Sequence, residues 1–287
     1  MSPTIRPFDP SRDGAHPLRT DGALEIFFIG VGNAFSSRLG HTNLLVVKGD
    51  DHLLVDVGTT APDRLLSVAG LEQTAITTIL PTHQHADHIG GLESLLIQHR
   101  YRSVVPHGRP RPRLIMTPAL HRAAWEMTLR GGLGFNEEGM DGRIELLDLY
   151  AEVLHPEPVA SETDTWRIAV GSLSIELFPT RHVIGADGPD GLRFLSYGLL
   201  IDDAVFFSAD TRFDRALIDR YTDRARFWIH EASPIATAVH ASIDELRTLP
   251  EEIRASMLLS HYPDGLEATE ATGFFGWARP GVRYLFA

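Results

Sequence analysis

The sequence predicts a mixed α/β fold, with sheets sandwiched between helical layers, over residues 24–287. Two observations predict it. Both halves of the chain carry paired apolar runs split by tight turns. Both halves also interleave those pairs with segments of helical spacing. Size agrees: of 287 residues, 43% are hydrophobic and 22% are charged, enough for one large core.

Residues 1–23 are rich in proline and glycine without apolar periodicity, and read as an irregular N-terminal arm, one that would gain order against a partner subunit. Leu24–Val31 is an apolar, β-branched strand. Thr42–Lys48 and His52–Val57 flank Gly49-Asp50-Asp51, a hairpin signal. Pro62–Gly70 is a helix opened by proline and closed by glycine. Ala75–Leu80 is a strand stopped by Pro81. Ile89–Arg100 places Leu92, Leu95, Leu96 and His99 at helical spacing, and Pro118–Arg130 is a second helix stopped by Gly131-Gly132. Ile144–Leu149, Trp166–Val170 and Leu173–Phe178 read as short strands. Leu195–Ile201 and Ala204–Ser208 form a hairpin across Asp202-Asp203. Helices at Phe213–Tyr221, Ile243–Leu249 and Leu266–Thr272 then alternate with strands at Phe227–His230 and Ser256–Ser260.

Composition excludes several classes. There is no cysteine, hence no disulfide frame, no thiol nucleophile and no thiolate metal site. No apolar run approaches the roughly 20 residues of a membrane-spanning helix. The first residues lack the apolar core of a secretory leader, so a cytoplasmic home is expected. The net charge of −12, from 38 acidic and 26 basic side chains, argues against gripping an extended nucleic acid. A small anionic substrate remains compatible if bound metal ions supply local positive charge.

The chemistry concentrates in Thr82-His83-Gln84-His85-Ala86-Asp87-His88, between an apolar strand and a helix. Imidazole and carboxylate donors at this density suit zinc or a similar ion. A strand-end loop can splay His83 and His85 toward one ion while Asp87 and His88 turn to a second. One segment cannot complete two coordination spheres. His182, Asp210 and His261 each follow an apolar strand later in the chain and have the look of the missing ligands. Singly, such residues are more often satisfied polar groups; together, after a His-rich motif, they point to a metal centre.

The order His-x-His-x-Asp-His, then a distant His, an Asp and a last His, resembles the metallo-β-lactamase-fold hydrolases. The resemblance runs from about Leu24 to the C-terminus and implies an αββα sandwich with two divalent ions along one edge, zinc foremost and manganese the alternative. It implies that His83, His85 and His182 bind one ion, that Asp87, His88 and His261 bind the other, and that Asp210 bridges them. His230-Glu231-Ala232-Ser233, with His240-Ala241-Ser242 after it and Phe28-Ile29-Gly30-Val31-Gly32-Asn33-Ala34 before, resembles the ribonuclease Z branch. Members that process transfer RNA carry a long basic arm. Here the stretch from His182 to Asp210 is short and holds the acidic Gly185-Ala186-Asp187-Gly188-Pro189-Asp190-Gly191.

Within that branch, Trp125–Leu133 is similar to the cyclic-nucleotide phosphodiesterases of the anti-Pycsar type. The resemblance implies a hydrolase acting on a small phosphodiester, a 3′,5′-cyclic mononucleotide, and assembling as a homodimer. A ribonuclease Z-like endonuclease and a thioester or lactone hydrolase are the alternatives. In the implied mechanism Asp87 orients or deprotonates the attacking water, His230 protonates the leaving 3′-oxygen, Glu231 orients His230, and His240 contacts substrate. Phe35, Phe135 and Tyr262 are the candidates to stack on a base.

Overall fold

The computed structural model describes residues 2–162, 164–183, 185, 192–269 and 271–286. The acidic Gly185–Gly191 stretch singled out above therefore lies almost wholly outside the described residues.

Two eight-stranded sheets build the molecule. The first contains β1 (Thr4–Pro7), β2 (Leu24–Gly30), β3 (Asn43–Lys48), β4 (Asp51–Val55), β5 (Thr78–Leu80), β6 (Arg113–Ile115), β7 (Glu152–Leu154) and, from the far end of the chain, β16 (Val282–Phe286). Their order is β1-β16-β2-β3-β4-β5-β6-β7. The second contains β8 (Glu157–Pro158), β9 (Trp166–Val170), β10 (Leu173–Pro179), β11 (Tyr197–Ile201), β12 (Val205–Phe207), β13 (Phe227–Glu231), β14 (Met257–Ser260) and β15 (Gly276–Trp277), running in reverse order from β15 to β8. One apolar core joins residues of both sheets, and helices cover their outer faces, giving an αββα sandwich.

Pairing explains where a site can form. β4 to β7 run parallel, as do β12 to β15. β2 and β4 are both antiparallel to β3, and β10 and β12 are both antiparallel to β11, so each pair points the same way. The carboxyl ends of β2, β4 and β5 thus share one edge of their sheet, and those of β10, β12, β13 and β14 share one edge of theirs. Ligands bind characteristically at that edge of parallel sheets. The two edges meet: the His261 amide donates to the Val31 carbonyl (2.7 Å), and the Asn33 amide donates to the Tyr262 carbonyl (3.2 Å).

Most expected elements form, with several differences. The helix expected over Ile89–Arg100 is a turn at Ala86–Ile89 and a helix at Leu92–His99 that runs on through a π-helical turn at Arg100–Val104. Ile144–Leu149, expected as a strand, is a 3₁₀ helix that buries Leu146 and Leu147. A short apolar run does not by itself distinguish the two conformations. Of the helix expected over Leu266–Thr272, only a 3₁₀ turn at Leu266–Ala268 forms; Thr269 already has extended backbone. The Pro118 helix continues through a π-helical turn, Trp125–Leu129, and ends at Leu133 rather than Arg130.

The N-terminal segment is not an irregular arm throughout. β1 pairs with β16 from Thr4↔Leu285 to Pro7↔Val282, and Asp9 caps a helical turn at Pro10–Asp13. The segment thus packs on its own chain, pinned by a buried network. Glu25 accepts two bonds from Arg283 (2.7 and 2.6 Å) and faces His16 Nε2 at 2.8 Å. Burial raises the Glu25 pKa, but the bonds from His16 and Arg283 outweigh it, leaving it below the ordinary glutamate value. A depressed carboxylate contributes stability above its unfolded pKa, about 4.3, and loses it as pH falls through the folded value. Glu25→Ala strands Arg283 and His16, so it is expected to cost about 3–5 kcal/mol near neutrality. The deficit should shrink as pH falls below the unfolded value of about 4.3 and through the lower folded one. Denaturant unfolding of both proteins at about pH 7 and at a series of acid pH values below about 4.3 checks this.

Candidate metal centre

His83, His182, Asp210 and His261 each sit just past a strand at the shared edge, and Asp87 and His88 stand on the helical turn Ala86–Ile89 that follows His85. β5 leads through Pro81-Thr82 to His83; β10 leads to His182, β12 to Asp210 and β14 to His261. Ala209 and His261 have φ of 46° and 54°, and Asp56, next after β4, has φ of 64°. Non-glycine residues in this region hold strain of about 1–3 kcal/mol each, which functional sites concentrate. The strand-end turns thereby aim successive side chains into one place. Gly58 makes the closest packing possible: a Cβ there would lie 2.1 Å from the Asp87 carbonyl oxygen.

Seven residues come together in two groups that share one carboxylate. His83, His85, His182 and Asp210 form one group; Asp87, His88, His261 and Asp210 form the other. Within each group the donor atoms lie within 4.8 Å of one another. Asp210 Oδ1 is 3.3 Å from His88 Nε2 and 3.4 Å from His261 Nε2. Its Oδ2 is 3.9 Å from His83 Nε2 and 3.7 Å from His182 Nε2. The structure thus brings together the seven residues singled out in the sequence, with Asp210 in both groups.

The donor set fits divalent metal ions. His88 Nε2 and Asp210 Oδ1 are buried with no hydrogen-bond partner, an arrangement that is costly unless an ion satisfies both. Burial pushes His83 far below its usual pKa and His85 below it, and takes His182 down to about 4, so all three are neutral donors. Burial works against the charged form of Asp210, but His261 and His88 outweigh it and hold the carboxyl well below the usual range. Asp87 is likewise held low, by His88 and His261 against its burial. Neutral imidazole and ionised carboxylate are the forms a metal ion requires; His88 and His261, which the carboxylates around them push up against their burial, would give up their protons to an ion.

A supporting layer orients these groups. Asp56 Oδ2 faces His88 Nδ1 at 2.8 Å and accepts from the Thr82 hydroxyl at 3.0 Å, while Oδ1 accepts from the Thr82 amide at 2.6 Å. His182 Nδ1 donates to the Val239 carbonyl at 2.9 Å. Such partners fix the imidazole tautomer and leave Nε2 for the ion. Phe194 packs on His85 at 4.6 Å between ring centroids. Sequence reasoning passed over Asp56, Thr82 and Phe194. Asp56 carried a signal, since it follows an apolar strand as the ligands do.

The structure does not bring His230 to this centre. Along β13 side chains alternate, and Glu231 takes the face toward the cluster while His230 takes the other. His230 is 2% exposed, its Nδ1 donates to the Glu231 carbonyl at 2.8 Å, and burial lowers its pKa to about 4. The nearby imidazole is His240. Its Nδ1 is 2.7 Å from Glu231 Oε2 and 4.0 Å from Asp210 Oδ2, and its ring lies 5.0 Å from that of His182 and 5.3 Å from that of His261. Glu231 Oε1 accepts from the Thr211 amide. Burial, then the Asp210 charge, push the Glu231 pKa well above the usual range. The Glu231 carboxylate therefore pairs with His240, while His230 meets only the Glu231 backbone carbonyl.

A cavity of about 480 Å³ opens over the centre, lined among others by His85, Asp87, Asp210, His240 and His261. It falls within the roughly 300–1,000 Å³ of small-molecule sites. Of the expected stacking rings, Phe35 lines it. Tyr262 is fully buried with its hydroxyl on the Ala278 carbonyl, and Phe135 packs by Gly142 outside the cavity lining.

Comparison with known proteins agrees with the geometry. The sequence model of the family described as "Anti-Pycsar protein Apyc1" matches residues 24–284. The chain is 35% identical over 250 residues to the Anti-Pycsar protein Apyc1 of Paenibacillus xerothermodurans, covering 85% of this chain and 90% of that protein. It is 34% identical over 265 residues to that of Saccharibacillus brassicae, covering 91% and 99%. Among solved structures, the metallo-beta-lactamase fold protein YhfI from Bacillus subtilis superposes with a TM-score of 0.68 at 19% identity, covering 92% of this chain and 99% of that one. Fold, donor clusters and relatives agree on a metal-dependent hydrolase of the metallo-β-lactamase fold. With the family pattern and relatives both spanning most of its length, the chain belongs to the Anti-Pycsar protein Apyc1 family.

Proposed function

We propose that this chain is a phosphodiesterase that hydrolyses a small phosphodiester, a 3′,5′-cyclic mononucleotide, with zinc as the metal. The carrying observation is the juxtaposition of the two donor groups with the Glu231–His240 pair in one cavity. His83, His85 and His182 would hold one ion, Asp87, His88 and His261 the other, and Asp210 both. Bound divalent ions supply a hydroxide near neutral pH and offset charge on the phosphate oxygens. Asp87, ionised and beside the cavity, orients the attacking water and accepts its hydrogen bond.

His240 holds the proton for the leaving 3′-oxygen. With Glu231 protonated, the carboxyl donates to Nδ1, and neutral imidazole must carry its proton on Nε2. With Glu231 ionised, Nδ1–H donates to it, and the imidazolium again has a proton on Nε2. The two arrangements are tautomers of one pair holding two protons, and in both Nε2–H is the acid, with its partner fixed at 2.7 Å. A thioester hydrolase has no use for this pair, because a thiolate leaves unprotonated. A transfer RNA nuclease fits poorly with a net charge of −12. The deciding experiment is a panel of cyclic mononucleotides, cyclic dinucleotides, acyl thioesters and transfer RNA precursors. Turnover confined to thioesters or precursor RNA would overturn the reading.

A cytoplasmic setting goes with such a substrate. Among the described residues, no helix is long and apolar enough to cross a membrane. The proposed assembly is a homodimer, supported by the exposed apolar Met127 and Phe135 near the Gly131–Gly142 turn. Light scattering should then give about twice 31.7 kDa; a monomer mass at every concentration would count against it.

A further inference from the structure

Phe35 and Ile235 are the two most exposed of the large apolar side chains among the described residues, at 92% and 68%. Both line the cavity over the metal centre. Single exposed apolar residues are ordinary. Two of them on separate loops, at the mouth of one catalytic cavity, are a recognition surface. Phe35 stands on the loop after β2, and Ile235 on the loop after β13 beside Pro234, so they approach from the edges of different sheets.

The polar groups of these loops are already engaged in shaping them. Asn33 Oδ1 accepts from the Phe35 amide (3.1 Å) and the Ser36 hydroxyl (3.2 Å). Ser233 Oγ accepts from the Ile235 amide (3.4 Å). Thr237 Oγ1 accepts from the amides of Val239 (3.2 Å) and His240 (2.8 Å). The loops are held in place, and what they offer a ligand is mostly apolar surface. One end of the cavity thus suits an anionic phosphodiester, and its rim suits a flat, uncharged ring.

We propose that Phe35 and Ile235 are the walls of a base-binding subsite, with the heterocycle of the nucleotide seated between them while its phosphodiester lies on the donor cluster. This rests on the phosphodiesterase reading above. Stacking contributes mainly to binding, so it acts on KM and on discrimination between substrates with and without a base. Aromatic stacking on a base is worth about 10- to 100-fold in affinity.

The test compares cyclic AMP with its abasic analogue, the 1-deoxyribose 3,5-cyclic phosphate, in the metal-loaded full-length protein. Wild type should prefer cyclic AMP in kcat/KM by about 10- to 100-fold. Phe35→Ala should erase most of that preference through KM, Phe35→Trp should retain it, and Ile235→Ser should reduce it by a smaller factor. An undiminished preference in Phe35→Ala overturns the subsite while leaving the phosphodiesterase reading in place. So does a change of oligomeric mass with unchanged KM, which would make Phe35 a contact between subunits. Absence of turnover of both cyclic phosphates by wild type overturns the reading and the subsite together.

Discussion

Asp210→Ala is expected to abolish turnover and to halve or empty the metal complement of the purified protein. Asp210 is the one residue common to both donor groups, and its two oxygens face different groups. Removing it takes a ligand from each ion and a negative charge from a cluster of imidazoles. Loss of one charge-stabilising group at a reacting centre typically costs about 10²–10³-fold; loss of a shared ligand should exceed that. Asp210→Asn keeps the shape and one oxygen but not the charge, so it should also fall short in metal content. Elemental analysis after reconstitution, alongside phosphodiester turnover, measures both. Retention of two equivalents of metal with near-normal activity would show that Asp210 does not join the groups.

The candidate donors were legible because His83, His85, Asp87 and His88 crowd into one short motif and the later three share one local pattern. An apolar strand ends, and a histidine or aspartate follows: Phe207 leads to Asp210, and Ser260 to His261. Parallel strands then carry those ends to a common edge. The His230/His240 assignment was not legible for a geometric reason. In His230-Glu231 at the end of β13, adjacent side chains must face opposite ways, and sequence does not say which faces in. A glance at parity along β13 settles it only once the strand is registered against β12 and β14. Elements of two or three residues, such as β6, β7, β8 and β15, are too short to show a period and passed unnoticed. β1 and β16 were missed because they pair across the length of the chain, Thr4 with Leu285, a contact no local pattern announces.

His240→Ala should lower kcat for a cyclic nucleotide by about 10²–10⁴-fold, the usual worth of a positioned acid. The leaving 3′-alkoxide is a poor leaving group and needs the Nε2 proton. For bis(p-nitrophenyl) phosphate the loss should be slight, because p-nitrophenolate departs without protonation. Glu231→Gln should follow the same leaving-group pattern with a smaller loss, since its role is to fix His240 at 2.7 Å. His230→Ala separates this from the assignment made on sequence alone. His230 is buried, and its ring bonds the Glu231 carbonyl rather than facing the cavity. That variant should lose stability by about 1–3 kcal/mol through the cavity and the lost bond. The folded fraction should retain kcat on both substrates within a few-fold. The opposite outcome, in which His230→Ala shows the leaving-group split and His240→Ala does not, would return the acid role to His230. Equal losses for both leaving groups in His240→Ala, with metal content reduced, would instead make His240 part of the metal environment, which its distance of 4.0 Å from Asp210 Oδ2 places within reach.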